Sequence, residues 1–464
     1  MPRATHLPDT VTARARARGR FPFAFGPRFF TSLLLGLAAL IPAWFFPRAV
    51  FLMFAWDALV LLLWLADAAR LPRPAQLEVE RVWKTRPSLS AISEIQLRIA
   101  NNGSQAIQVT AVDETPTRLR AMPPGVSLRI VAGRRSAAFY SILPSARGDA
   151  RFGRTFLRYQ SILGFAERWA VAETAQTVSV LPDIEGAKKH TLFLIRSRQV
   201  EMERRMRRHR GLGREFESLR EYRRGDDFRD ISWTATARRH ELITRTFELE
   251  RGQIVWIVID AGRLLRAQVE QPGEPVHLSK LDYSVNSALS LAQVALYSGD
   301  RVGVLAYGRR IQQNVNAGRG SEHLRTIVDS LSQVHSESSE GDHLRAAREL
   351  LTTQKRRSLV VWITDFAETA MIPEVVESTM QVTKRHLVVF AAMGQPDLNA
   401  AAQTTPRNRD ELYRHATAIE IFERRAVLMR GLRQSGVLTL EFMPNMMASA
   451  LVNQYLDVKE RSLL

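Results

Sequence analysis

The chain has 464 residues and 45% hydrophobic content, enough for about three domains of ~150 residues with packed cores. It contains no cysteine, which excludes disulfides, cysteine-based zinc sites and a cysteine nucleophile. A net charge of +18 calls for an anionic partner, nucleic acid or membrane. The distribution of charge favours membrane, because Arg14, Arg16, Arg18, Arg20 and Arg28 precede an apolar region and Arg70 and Arg73 follow it.

Residues 1–28 read as a basic cytoplasmic tail. Residues 29–68 hold two apolar runs, Phe29 to Phe46 and Ala49 to Ala66, separated by Pro47-Arg48. Each is near the lower limit of the ~17–25 residues that cross a bilayer. The expectation is a transmembrane helical hairpin, with basic flanks holding both ends in the cytoplasm. Asp57 lies mid-span, where a carboxylate costs about 2.5–3.5 kcal/mol. It reads as a contact between helices or protomers, or as a polar residue facing Ser32 or a local water. The first reading carries a homo-oligomer through the hairpin.

Between residues 75 and 185 the pattern changes to short alternating runs: Leu77-Val79-Val82, Ile95-Leu97-Ile99, Ile107-Val109-Val112, Val126-Leu128-Ile130 and Val178-Val180. Turn-rich breaks such as Asn101-Asn102-Gly103 separate them, as expected of a β-sandwich. No catalytic constellation is visible in this region.

Residues 186–252 are rich in arginine and acid, with a basic cluster from Arg204 to Arg210. That cluster suits an anionic ligand or nucleic acid, or else a solvated helix face with i,i+4 pairs. Within residues 186–252, Asp226 and Asp227 after Gly225 read as a turn and helix N-cap. Ile231 and Trp233 would pack the helix that follows on a sheet. Arg220, Arg229 and Arg238 form either an anion site or fixed ion pairs.

Residues 253–464 open on Ile254-Val255-Trp256-Ile257-Val258-Ile259, an unbroken apolar run stopped by Asp260. Such a run is a strand buried on both faces of a parallel sheet. Apolar runs and helical patterns then alternate to the C-terminus, which predicts a doubly wound α/β domain. In strand order 3-2-1-4-5-6 the first strand, ending at Asp260, lies beside the fourth, ending at Thr364-Asp365. Both carboxylates then face one crevice at the carboxyl edge of the sheet.

Several of these residues also carry a family resemblance. Arg220-Glu221-Tyr222, Gly225-Asp226-Asp227, Arg229, Ile231, Trp233, Ala235, Ala237-Arg238 and Phe247-Glu248 resemble the signature of domain-of-unknown-function family fifty-eight. Ala146-Arg147-Gly148, Gly299-Asp300-Arg301-Val302-Gly303, Thr364-Asp365 and the closing Val452-Asn453-Gln454-Tyr455-Leu456 extend the similarity from about residue 75 to the C-terminus. The resemblance implies a bacterial protein with a degenerate von Willebrand factor A-like domain of Rossmann type, and the hairpin then places it in the inner membrane with the bulk of the chain in the cytoplasm. It also implies a MoxR-type AAA+ ATPase as partner.

Where von Willebrand A domains bind Mg²⁺, the first strand ends in Asp-x-Ser-x-Ser, and a Thr and a later Asp complete the shell. Here the first element reads Asp260-Ala261-Gly262-Arg263-Leu264 and the second loop Glu340-Gly341-Asp342-His343, so Asp260 and Asp365 alone match. With Asp342 they could hold Mg²⁺ weakly. Arg263 and Arg345 could instead neutralise the acids. The site is read as degenerate, and no cofactor is expected.

No P-loop, H-E-x-x-H or G-x-S-x-G motif is present. His335 and His343 read as surface residues. The expectation is therefore a membrane-anchored, non-enzymatic adaptor in contact with lipid and a MoxR-type ATPase, with no nucleic acid. Two alternatives stand beside it: a metal-dependent hydrolase at the Asp260/Asp365 crevice, and an anion or nucleic-acid binder through Arg204–Arg210.

Overall fold

The computed structural model describes residues 8–19, 23–120, 122–183, 215–223, 228–248, 252–269, 277–365, 372–461 and 463. The chain divides into two units, Met1–Val180 and Leu181–Leu464.

Nine strands of the first unit form one sheet: β1 (Val11–Ala17), β2 (Phe23–Phe25), β3 (Leu77–Trp83), β4 (Ser93–Asn101), β5 (Ile107–Asp113), β6 (Gly125–Ile130), β7 (Arg135–Ile142), β9 (Thr155–Ser161) and β10 (Ala166–Ala172). Its order is β6-β5-β9-β10-β1-β3-β4-β7, with β2 paired on β10. The two end strands, β6 and β7, are consecutive in the chain, and Ser136 Oγ donates to Arg129 O at 3.2 Å. The sheet thus curls nearly into a barrel. A separate ribbon of β8 (Gly148–Phe152) and β11 (Gln176–Val180) adds Ala150, Phe152, Val178 and Val180 to a core with Trp83, Ile95 and Ile142.

Two expectations are corrected here. The unit is one curled sheet with a ribbon, not a two-sheet sandwich. Nor is Val11–Ala17 part of a free tail, because β1 pairs with both β3 and β10. Its inward residues, Ala13 and Ala15, alternate with exposed Arg14 and Arg16, so a strand is written in small apolar and large basic residues. In β3 it is Arg81, not Val82, that points inward, where it meets Asp113 at 2.5 Å. Tyr140 and Thr155 donate to the same carboxylate.

The apolar segment leaves this sheet after β2 and returns to it at β3. The helix Pro27–Gly36 has 10 residues and is followed by a 3₁₀ turn and a four-residue helical turn, Leu40–Ala43. Ten residues of α-helix rise about 15 Å, half of a ~30 Å hydrocarbon core. The second run is one helix, Val50–Arg70, and with its leading turn Pro47–Arg70 is long and apolar enough to cross a membrane. Among the described residues it is the one helix that qualifies, so the pair of full-length spans expected from the sequence is not formed. The shorter helix packs against the longer: Trp56 Nε1 donates to Ser32 O at 2.8 Å. A Cβ on Gly36 would lie 3.0 Å from Asp57 Oδ1.

Both ends of the segment are fastened to the turn between β9 and β10. At its start, the Gly26 N–H donates to Phe165 O at 2.7 Å and the Arg28 N–H to Gly164 O at 3.3 Å. At its end, Asp67 Oδ2 accepts the N–H groups of Phe165 and Ala166 at 3.1 and 2.9 Å. Arg168 then caps the long helix by donating to the Ala68, Leu71 and Pro72 carbonyls.

The second unit is built on a six-stranded sheet of β14 (Ile254–Asp260), β17 (Arg301–Tyr307), β18 (Ile311–Gly318), β19 (Leu359–Thr364), β20 (Leu387–Met393) and β21 (Leu438–Phe442). Its order is β18-β17-β14-β19-β20-β21. All neighbours are parallel except β18, which lies antiparallel on β17 at the edge. Val255, Ile257 and Ile259 pack with the helices Lys280–Tyr297, Gly320–Ser332 and Met447–Glu460. Trp256 and Val258 face the other way, toward the helices His343–Thr353, Ile372–Thr383 and Arg409–Gln434. Burial on both faces accounts for the unbroken apolar run of β14. Among the described residues the unit also holds two smaller ribbons: β12 (Glu215–Glu221) with β13 (Ile243–Glu248), and β15 (Gln268–Val269) with β16 (Leu278–Ser279).

Candidate functional site

Parallel pairing of β14 with β19 sets Ile259 opposite Ile363, so Asp260 and Thr364 end neighbouring strands. Thr364 Oγ1 donates to Asp260 Oδ2 at 2.7 Å, and the Gly262 N–H donates to Oδ1 at 2.8 Å. Gly341 closes over the carboxylate; a Cβ there would lie 2.5 Å from Asp260 Oδ1. Asp260 is 4% exposed. Burial raises its pKa above the ordinary carboxylate value, against the opposing pull of His343 and the bonds from Thr364 and Gly262.

Asp365, one residue beyond β19, is held by cations. Lys280 Nζ lies 2.5 Å from its Oδ2 and Arg425 Nη1 3.2 Å from its Oδ1. All three side chains are buried, at 8%, 0% and 4% exposure for Lys280, Asp365 and Arg425. Arg425 also reaches Glu441 and the Met393 carbonyl, both at 2.8 Å. Lys280 is the first residue of its helix, placed there by the Ser279 N-cap, whose side chain accepts the Asp282 N–H. Buried charges persist only when paired and hydrogen-bonded in this way.

The third expected ligand is used differently. Asp342 is the N-cap of the helix His343–Thr353, accepting the Arg345 N–H at 2.8 Å, with Arg345 Nε at 3.3 Å. Arg263 pairs with Glu340 at 3.0 Å. Arg345 therefore pairs with Asp342, Arg263 turns to Glu340, and the cations on Asp365 are Lys280 and Arg425. Among the described residues no group of three His, Asp or Glu is placed to hold a metal ion.

His343 is not a surface residue. It is 3% exposed, and its Nδ1 lies 2.7 Å from the Tyr307 hydroxyl, which also accepts from Trp362 Nε1 at 2.8 Å. Burial, and then Asp260, push the Tyr307 pKa well above its ordinary value. His335 is exposed, as expected.

Of the signature residues, Tyr222 stacks on Phe228 with ring centres 5.8 Å apart, and Arg220 donates to Glu221 O at 3.0 Å. Ile231 is 1% exposed and packs inward, whereas Trp233 is 65% exposed, contrary to the expectation that it packs on a sheet. Trp233 starts the short helix Trp233–Arg239 and its ring faces outward; Ile231, before that helix, bridges to Thr244. Arg229 and Arg238 are exposed. Gly225, Asp226, Asp227 and the Arg204–Arg210 cluster lie outside the described residues.

Residues 218–397 match the family model described as "Protein of unknown function DUF58". That span holds Asp260, Lys280, Asp342 and Asp365, and stops short of Arg425. No curated protein matches the sequence. Among solved structures the chain is similar to conserved hypothetical protein BatB from Bacteroides thetaiotaomicron, with 14% identity and a TM-score of 0.31 over 45% of this chain and 98% of that one. It is similar to an uncharacterized membrane spanning protein from Vibrio fischeri, with 14% identity and a TM-score of 0.18 over 45% and 98%. Proximal thread matrix protein 1 from the mussel byssus gives 12% identity and a TM-score of 0.27 over 46% of each chain. Similarities this low fix neither fold nor function.

Proposed function

We propose that the protein is a membrane-anchored, non-catalytic binding scaffold whose sheet-edge crevice is closed by an internal ion network. The observation that carries this reading is Asp365, with Lys280 on one oxygen and Arg425 on the other. Mg²⁺ asks for an octahedron of oxygens at ~2.0–2.1 Å. A metal shared by Asp260 and Asp365 would have to displace a buried ammonium and a bond from Thr364, with no serine hydroxyls after Asp260 to replace them. The donor set does not fit the ion, which favours the scaffold reading over the hydrolase alternative.

The strand order, with Asp260 and Asp365 at the carboxyl ends of the first and fourth strands in sequence, supports a von Willebrand A-like reading of the second unit. In this reading the crevice is a rigid platform. The long apolar helix seats the protein in a bacterial cytoplasmic membrane. In this reading both ends of the apolar segment, which are bonded to one β-turn, stay on the same side of that membrane. Asp57 Oδ1 is buried against Gly36 of the first helix without a hydrogen-bond partner among the described residues, which favours the contact between helices over one between protomers. The partner is the MoxR-type AAA+ ATPase that the family resemblance implies. Co-purification of the detergent-solubilised full chain with that ATPase, in both nucleotide states, tests the partnership. Absence of co-elution in either state contradicts it.

A further inference from the structure

We infer that the turn between β9 and β10, Ile162 to Phe165, is a membrane-contacting loop seated in the headgroup–acyl boundary of the bilayer. This rests on the reading of the apolar helices as membrane-embedded. Ile162 and Leu163 are each 52% exposed, at the tip of a turn most of whose backbone groups bond to protein. Ser161 Oγ accepts the N–H groups of Leu163 and Gly164 at 3.0 and 3.2 Å. Arg28 Nη1 donates to the carbonyls of Ile162 and Leu163 at 3.3 and 3.2 Å. The Gly164 carbonyl accepts the Arg28 N–H, the Phe165 carbonyl accepts the Gly26 N–H, and the Phe165 N–H donates to Asp67.

Singly exposed apolar residues are ordinary and need no account. Two features separate this turn from them. Backbone polar groups entering lipid must be paired within the protein, and here side chains and helix ends supply those partners. Moreover the apolar tip is continuous with the apolar helices, since Arg28 is the second residue of the first helix and Asp67 lies in the last turn of the long one. Phe25 and Phe30, 43% and 57% exposed, extend the same surface. Arg28, itself exposed, would set its guanidinium at phosphate level, where basic and aromatic side chains anchor proteins.

The absence of native cysteine makes the test direct. The full chain carrying a single nitroxide at Leu163→Cys is reconstituted into phosphatidylcholine–phosphatidylglycerol vesicles, and collisions with oxygen and with a water-soluble nickel chelate are compared. Leu62→Cys, in the long helix, and Ile92→Cys, at the opposite end of the strands, give the two references; Ile162→Cys is the second variant at the turn. The expected oxygen-to-nickel ratio at Leu163 and Ile162 falls between those of Leu62 and Ile92. A ratio at both turn positions equal to that of Ile92, with Leu62 deep, overturns the inference and leaves the membrane reading standing. A water-exposed label at Leu62 overturns both.

Discussion

Lys280 and Asp365, 85 residues apart in sequence, form a 2.5 Å buried ion pair at the carboxyl edge of the six-stranded sheet. Removing one partner of such a pair leaves an uncompensated buried charge. Lys280→Met is expected to destabilise the protein by about 3–5 kcal/mol, toward the lower end because Arg425 remains. Denaturant unfolding followed by tryptophan emission measures it. An unchanged midpoint would show that the pair is not formed.

Asp260 gives a pH signature. Its folded pKa is raised, mainly by burial, so the native state binds its proton more readily than the unfolded chain. Stability from this group is therefore fully present below the unfolded carboxylate value and falls as pH rises through the folded pKa. Asp260→Asn keeps an acceptor for the Gly262 N–H and a partner for Thr364, and is expected to abolish that decline. Unfolding free energy measured from acid to neutral pH would contradict this if both proteins followed the same curve.

Gly341 is required by its contact with Asp260. Gly341→Ala brings a Cβ to 2.5 Å from Asp260 Oδ1 and 3.2 Å from the Tyr307 ring. Crowding of this kind costs about 1–3 kcal/mol. The thermal midpoint of the variant should drop, and a wild-type value would mean that the loop stands farther from the carboxylate.

The first unit has its own buried pair. Arg81→Met strands Asp113 beside Tyr140 and Thr155 and should cost about 3–5 kcal/mol. Arg81→Met/Asp113→Leu should recover much of that loss, since an apolar replacement leaves no charge behind. A double-mutant cycle with no coupling would contradict the pairing.

Asp260 and Asp365 are legible in the sequence because an unbroken apolar run stopped by an acid marks the carboxyl end of a doubly buried strand, and the common order 3-2-1-4-5-6 sets the first and fourth strands side by side. Lys280 and Arg425 are not. A lysine after Ser279 reads as a solvated first-turn residue, and Arg425 sits in a helix crowded with charge, Glu423-Arg424-Arg425. Only the crossing of the sheet brings them to Asp365. His343 hides in the same way, its partner Tyr307 lying at the end of another strand. Strand β1 is obscured by composition, because its inward side chains are alanines between arginines. The first apolar run looks long enough to span but is interrupted after Gly36, a break that hydropathy does not register.

The most direct test is calorimetric titration of Mg²⁺ and Mn²⁺ into the detergent-solubilised full chain, with Asp260→Ala as control. The account predicts no heat that Asp260→Ala removes, at any metal concentration up to the millimolar range. Micromolar binding abolished by Asp260→Ala would mean that Lys280 yields to a cation and that the crevice is a working metal site.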